Sequence, residues 1–327
     1  MFRHRLSALI AFVIASPVFA QPLNYLGDML PAGQQQVSTE LALSDRYAGG
    51  NYIEDATVAA IDDLDRGITS ARTKGYSVKT DITYLMGISS DLNVGFKYGY
   101  EYQKSNGGVD GDAGDGIEGN WVNEGGTDIS LLANMRISEI AIFENQLQLP
   151  VCSADSSVCK NRVAAADGQS GGAAQGLLAY KAGVAANWLT EMDTRWMGRA
   201  YASAAMSEEV DGKKVSSPIS MGASMGTTFP LAMHHQMVGT LSMDYMLEYS
   251  AYSPQVQRKV AYSEQSRVSF KLEYLWDVMS QMQLRPFVDV AITQQPSQTF
   301  VMDGQRRRLE YTGGTQVTLG AQFSAAF

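Results

Sequence analysis

The sequence predicts an all-β fold, a transmembrane antiparallel up-and-down β-barrel of about twelve strands behind a cleaved signal peptide. Three observations carry that expectation: an export leader, long runs of period-two alternation, and connections that alternate between short and long. A closed barrel is the one sheet that can cross lipid. Backbone polar groups in hydrocarbon must be paired within the protein, and closure leaves no strand edge.

The leader comes first in the chain. Arg3 and Arg5 precede an apolar run from Leu6 to Ala15, and Val18-Phe19-Ala20 sets small residues at both ends of the triplet. That pattern predicts a signal peptide over 1–20, cleaved before Gln21. The run is too short for a membrane-spanning helix. No cysteine lies near the cleavage point, which disfavours a lipoprotein. A short segment, 21–34, then leads to a barrel over 35–327. Without Arg3 and Arg5 the chain keeps 23 basic against 34 acidic residues, a net charge of −11. Nucleic-acid binding needs a basic footprint and is excluded on that ground. The chain is 45% apolar, yet its mean hydropathy is −0.14. Lys181 or Arg136 interrupts each candidate helical span, so a helical membrane protein is excluded too. Composition leaves a soluble β-sandwich open, and patterning has to decide.

Patterning gives the strands in order. Tyr76, Val78, Thr80, Ile82, Tyr84, Met86 and Ile88 alternate with Ser77, Lys79, Asp81, Thr83 and Gly87. After Ser89-Ser90-Asp91 the pattern resumes, with Leu92, Val94, Phe96, Tyr98, Tyr100 and Tyr102 against Asn93, Gly95, Lys97, Gly99, Glu101 and Gln103. These read as two paired strands. The full set of expected strands is 35–45, 76–88, 92–103, 127–137, 140–149, 176–188, 194–206, 217–229, 236–249, 266–276, 282–292 and 313–327. Short connections fall at 89–91, 138–139, 189–193, 230–235 and 277–281. Long ones fall at 46–75, 104–126, 150–175, 207–216, 250–265 and 293–312. Alternating loop length separates a membrane barrel from a sandwich. Pro286 lacks a ladder donor and is expected near a strand start or bulge.

The last strand adds a signature. Val317, Leu319, Ala321, Phe323, Ala325 and Phe327 share one face, and Thr318, Gly320, Gln322 and Ser324 the other. This resembles the carboxy-terminal signature of Gram-negative outer-membrane β-barrels. In that family the final strand, here with Phe323 and Phe327, is read by the barrel-assembly machinery. The resemblance implies the bacterial outer membrane, both termini in the periplasm, and contacts with outer-membrane lipids and lipopolysaccharide. In that orientation Trp188, Trp196 and Trp276 fall at the periplasmic boundary. Tyr100 and Tyr102 fall at the outer one, with Tyr76, Tyr180 and Tyr249. Such segregation is expected of aromatic girdles. Length, single-domain layout and strand number also resemble the outer-membrane family linked to meta-pathway phenol degradation and similar small-molecule transporters.

Inward positions hold the candidate functional groups. The acids are Glu40, Asp81, Glu101, Asp128, Glu144, Asp244 and Glu248, nearly balanced by lysines and arginines. Lys181, Arg195 and Arg199 fall on adjacent strands with no inward acid between them. Two readings stand: a basic stripe favouring anionic solutes, or cations paired with Glu144 or with inserted loops. Cys152 and Cys159 are the only cysteines, with six residues between them in an expected outer loop, and in an exported protein they are expected to pair. That bridge would contribute about 2–3 kcal/mol. Asp110, Asp112 and Asp115 lie among glycines in a loop that partly resembles a calcium site. Gly114 stands where a third alternate ligand belongs, so a solvated acidic loop is the preferred reading. Arg306-Arg307-Arg308 forms a basic cluster facing either that loop or lipopolysaccharide phosphates.

No cofactor is expected, and no enzyme. After the leader only His234 and His235 remain, both in an expected periplasmic turn, away from the outer rim where barrel hydrolases place histidine. The expected function is a passive or substrate-selective channel for small solutes. The rival is a closed barrel with a structural, adhesin or envelope-assembly role. An autotransporter is disfavoured because 21–34 cannot hold a passenger and a pore-threading helix.

Overall fold

Twelve antiparallel strands close into a barrel in a computed structural model of the chain. It describes residues 22, 23, 25–52, 68–111, 117–151, 178–190, 194–206, 208–210, 213–215, 218–253, 258–294, 298–302 and 305–327. The expected leader at 1–20, Cys152, Cys159, Asp112 and Asp115 lie outside these residues.

The elements in chain order are β1 (Gln35–Tyr52), β2 (Ile68–Ser89), β3 (Leu92–Gly111), β4 (Ile117–Gly126), β5 (Ile129–Arg136) and β6 (Ala141–Leu149). There follow β7 (Ala179–Leu189), β8 (Arg195–Ala205), β9 (Glu208–Val210), β10 (Lys213–Val215), β11 (Ile219–Ala232) and β12 (His235–Met246). The chain ends with β13 (Tyr249–Ser253), β14 (Arg258–Tyr262), β15 (Gln265–Met279), β16 (Met282–Gln294), β17 (Gln298–Met302) and β18 (Gln305–Ala326). The closed path runs β1-β2-β3-β5-β6-β7-β8-β11-β12-β15-β16-β18 and back to β1. At the seam Gln35 N donates to Phe327 O at 2.8 Å and Phe327 N to Gln35 O at 2.9 Å. Inside the seam, hydroxyls bridge the two strands: Ser38 to Ser324 at 2.9 Å and Ser44 to Thr318 at 2.8 Å. Sequence-remote first and last strands thus satisfy each other's backbone, as a lipid-spanning sheet requires.

Alternation decides the two faces. Leu41, Leu43, Ile82, Phe96, Leu131, Val184, Met225, Leu241, Phe270, Ile292 and Leu319 all project outward and are more than two-fifths exposed. A continuous apolar surface on that scale belongs against lipid. Tight turns gather at the end that carries the termini. One of them, Met233-His234, places His234 at φ 69°.

The structure corrects the expected boundaries where strands continue past the membrane band. The segment 104–126 is not a loop: β3 runs to Gly111 and β4 pairs back along it, Tyr102 opposite Glu124. Asp110 therefore lies in a strand, opposite Ser70. Arg306, Arg307 and Arg308 likewise belong to β18, opposite Val301, Phe300 and Thr299 of β17. Pro286 sits well inside β16. Its ladder to β15 skips Arg285 and Pro286, while the pairing to β18 continues through Ala321. The missing donor is absorbed on one side only.

Candidate functional site

Register sets which inward side chains share a level of the wall. One level reads Leu85, Gly95, Leu132, Gln146 and Lys181 across β2, β3, β5, β6 and β7. The next reads Asn134, Glu144, Gly183, Tyr201, Gly222 and Asp244 across β5 to β8, then β11 and β12. Tyr201 falls between two glycines, and both matter. A Cβ on Gly222 would lie 2.6 Å from Tyr201 Cε1 and Cζ, and one on Gly183 would lie 2.9 Å from Tyr201 Cβ. The ring therefore occupies the volume the glycines leave empty and lies along the wall. Its hydroxyl donates to Asp244.

Two cations flank that ring. Lys181 Nζ sits 3.5 Å from the ring centroid and Arg199 Cζ 5.7 Å from it. Arg199 Nε meets Glu144 Oε2 at 2.6 Å. The contact is ionic, and neither atom has a further hydrogen-bond partner among the described residues. Together with Leu85, Leu132, Asn134, Asn145, Gln146 and Gly183, these groups line a recess of about 500 Å³, counted with the lumen space it opens into.

Other inward charges form ion pairs as well. Asp81, only 5% exposed, receives Lys79 at 2.9 Å and Lys97 at 2.8 Å. Arg267 meets Asp289 at 3.3 Å and Lys271 meets Glu273 at 2.8 Å. Lys97–Asp81 and Arg267–Asp289 brace neighbouring strands on the wet side of the sheet, while Lys79–Asp81 and Lys271–Glu273 run along single strands.

The terminal end of the lumen is crossed by the segment before β1. Leu23 N donates to Gln36 Oε1 at 2.7 Å, and Arg285 Nη2 donates to Leu23 O at 2.9 Å. On the other side of the barrel, Asn187 Nδ2 donates to Leu26 O at 2.7 Å and to Asp28 Oδ1 at 3.0 Å. Arg195 lies over the Tyr25 ring at 4.5 Å and donates to Asn187 Oδ1 at 2.6 Å. Tyr25 and Leu26 pack on Met197, Val238 and Leu275. Leu30 is fully buried, with Asn93 positioned to bond both its N–H and its C=O. Gly27 (φ 85°) and Gly33 (φ 80°) supply the left-handed bends. Burial raises the Tyr25 phenol above its ordinary pKa, so it stays protonated and donates to Gln236.

The residues singled out from sequence fall as follows. Lys181 and Arg199 come together around Tyr201, and Arg199 is paired with Glu144. Arg195 stands apart from them in the mouth, holding Tyr25. Glu40 is opposite Asp81 across β1 and β2. Asp128 is buried in the bend between β4 and β5, accepting from Gln148 Nε2 at 2.9 Å and Val151 N at 3.2 Å. Asp244 caps Tyr201, and Glu101 points inward on β3. Glu248 is not in the lumen: it is exposed in the link between β12 and β13. Trp188 and Trp196 are cross-strand partners at the terminal end, and Trp276 stacks with His235 at 6.2 Å. His235 also bonds Tyr274 at 2.7 Å, which places it in the outward aromatic ring. At the far end Tyr76 and Tyr102 approach to 6.1 Å and Tyr100 donates to Glu124. Phe323 projects outward, 42% exposed, and Phe327 closes the seam.

Sequence reasoning missed Tyr201, Tyr25, Asn187 and Leu30, and the leucines of the recess. Parity with Arg199 on β8 would have turned Tyr201 inward. Nothing local marks Leu30, because the groups that hold it are remote and its own bonds run through backbone.

No family profile matches the sequence, and no curated protein sequence is detectably similar. Solved structures are similar in fold. An outer-membrane channel from Pseudomonas putida F1 aligns with a TM-score of 0.50 at 12% identity, over 94% of this chain and 99% of that one. A Pseudomonas aeruginosa FadL homologue aligns with a TM-score of 0.41 at 9% identity, over 90% of each chain. A TodX monoaromatic hydrocarbon channel mutant gives 0.39 at 10%, over 91% of each. The chain has an outer-membrane β-barrel fold. What the first of these likenesses carries over is the barrel itself, and the chemistry of the lumen rests on the side chains described above.

Proposed function

We propose that the protein is an outer-membrane channel through which small solutes diffuse, with both termini and the tight turns in the periplasm. The observation that carries this reading is the unfilled recess at mid-wall, bounded by charged and amide groups where a closed barrel would hold packed apolar side chains. The lumen levels add to it: glycines at Gly183 and Gly222 let the Tyr201 ring lie flat, which keeps the bore open. A channel rather than an enzyme is favoured because His235 is turned outward into the aromatic ring, away from every lumen acid. Lipid A phosphates and outer-membrane lipids are the expected neighbours of the outer surface. The barrel-assembly machinery is the expected reader of the strand ending at Phe327.

The rival reading, a closed barrel with a structural role, is favoured by one observation: the segment 25–34 spans the mouth at the terminal end. Single-channel recording on the refolded protein separates the two. Steady conductance from the intact chain, or from a chain cleaved before Gln34, supports the channel. Silence from both, with the fold shown intact by heat-modifiable migration, overturns it.

A further inference from the structure

We propose that the mid-wall recess is a binding subsite for a small organic anion, a carboxylate carried on a compact apolar body. The inference rests on the channel reading and adds the chemistry of the solute. Three features of the recess argue for it together.

The first is unneutralised charge. Among the described residues Lys181 has no carboxylate at ion-pair distance, and its ammonium rests on the face of Tyr201. Arg199 has a single acid, Glu144. The charges lining the recess are therefore two cations against one carboxylate. Outside the lining, Asp244 accepts from the Tyr201 hydroxyl and lies opposite Arg267, which is itself paired with Asp289. Lys97, one level outward, is taken by Asp81. One added negative charge would balance the charges that line the recess itself.

The second feature is an apolar wall facing the cations. Leu85 and Leu132 both point inward on the level of Lys181, with Gly95 between them. A Cβ on Gly95 would lie 2.8 Å from Leu85 Cδ2, so the glycine is what lets the leucine spread along the wall. Leu132 and Lys181 are two strands apart, about 10 Å between backbones. That span suits a ring or a short branched chain with its carboxylate at one end.

The third is a guanidinium with a single acid beside it. Arg199 Nε and Glu144 Oε2 are buried against each other at 2.6 Å, and Asn134 stands opposite Glu144. A bound carboxylate could take the guanidinium edge, while Glu144 rejects dianions by like-charge repulsion. Cation and apolar wall on one level give selection for monoanions with apolar bodies over either inorganic anions or neutral solutes.

The test uses the whole refolded protein in nanodiscs and equilibrium dialysis with benzoate, benzyl alcohol and acetate as probes. Benzoate is expected to bind in the millimolar range, and benzyl alcohol and acetate at least tenfold more weakly. Lys181→Met should weaken benzoate at least tenfold, and Lys181→Arg should stay within about threefold of the parent. Leu132→Asn should weaken benzoate and leave acetate unchanged. Equal binding of benzoate and benzyl alcohol, or a Lys181→Met protein that migrates as folded and still binds benzoate as the parent does, overturns the proposal. Because dialysis needs no current, the two readings fail separately. A silent protein that binds benzoate keeps the subsite and loses the channel. A conducting protein blind to benzoate does the reverse.

Discussion

Tyr201 shows how much of this lumen depends on single missing methyl groups. Its ring fits along the wall because Gly222 has no Cβ, and its hydroxyl is fixed by Asp244. Gly222→Val would set carbon atoms about 2.6 Å from Cε1 and Cζ and 2.5 Å from Asp244 Oδ1, which neither group can tolerate. The ring has to swing toward the axis, releasing the hydroxyl and taking with it the surface on which Lys181 rests. Single-channel conductance should fall at least twofold while the barrel still assembles, and unchanged conductance would falsify the wall-hugging role of the tyrosine. Asp81 makes a different kind of case. It is nearly buried between two lysines that are themselves 40% exposed at their side chains, so water screens each pair in part. Asp81→Asn removes the anion and leaves two like charges facing each other. A loss of about 1–3 kcal/mol is expected, since charged hydrogen bonds are lost but the lysines can turn to water. Urea titration of the folded fraction on gels measures it, and a null effect would show that the triad is decorative.

At the scale of elements, the segment before β1 behaves as a strap laid across the mouth at the terminal end of the barrel. Its attachments lie on opposite sides: Gln36 and Arg285 at one end, Asn187 and Arg195 across the bore, Asn93 beside Leu30. Several of these bonds go to backbone oxygens of Leu23, Leu26 and Leu30, which explains why the strap was illegible in the sequence. Carbonyls carry no side-chain signal, and 21–34 reads only as a short segment leading into the barrel. The strands were legible for the opposite reason. Burying one face and exposing the other imposes period two on every membrane-crossing stretch, and all twelve expected strands are present. Their outer continuations were not, because Ser105, Asn106, Gly107 and Gly108 have poor strand propensity and are held by the ladder to β2 and β4. Leu30 is the strap's main apolar anchor. Leu30→Ala leaves a cavity at a site with no exposure, costing about 2–5 kcal/mol locally. That loss falls on strap docking rather than on the strand ladders. The mutant should open more often in bilayer recordings and be clipped faster by protease added from the periplasmic side, with the barrel itself still resistant. Slower clipping, or an unaltered open fraction together with unaltered clipping, would count against the strap as a barrier.

The whole molecule is asymmetric along its axis, and that asymmetry predicts its direction in the membrane. Tight turns such as Ser90-Asp91 and Met233-His234, both chain ends and the tryptophan pair Trp188–Trp196 gather at one end. At the other end β3 and β4 project as a paired hairpin, and β17 with β18 as another. Outer-membrane barrels keep short turns toward the periplasm because that is the side from which folded chains insert, and long connections must be carried across. Exposed positions at each end allow a direct reading. Met233 is 82% exposed in its turn, and Val151 is 41% exposed just beyond β6 at the opposite end. In a background with Cys152 and Cys159 replaced by serine, Val151→Cys should react with a membrane-impermeant maleimide on intact cells. Met233→Cys should react only once the outer membrane is permeabilised. Both substitutions sit outside the lipid band and outside the lumen, so neither depends on the bore being open or on any solute. Labelling of Met233→Cys on intact cells with Val151→Cys protected would invert the barrel. It would place the strap at the cell surface and make the 25–34 segment an outer gate instead of a periplasmic one.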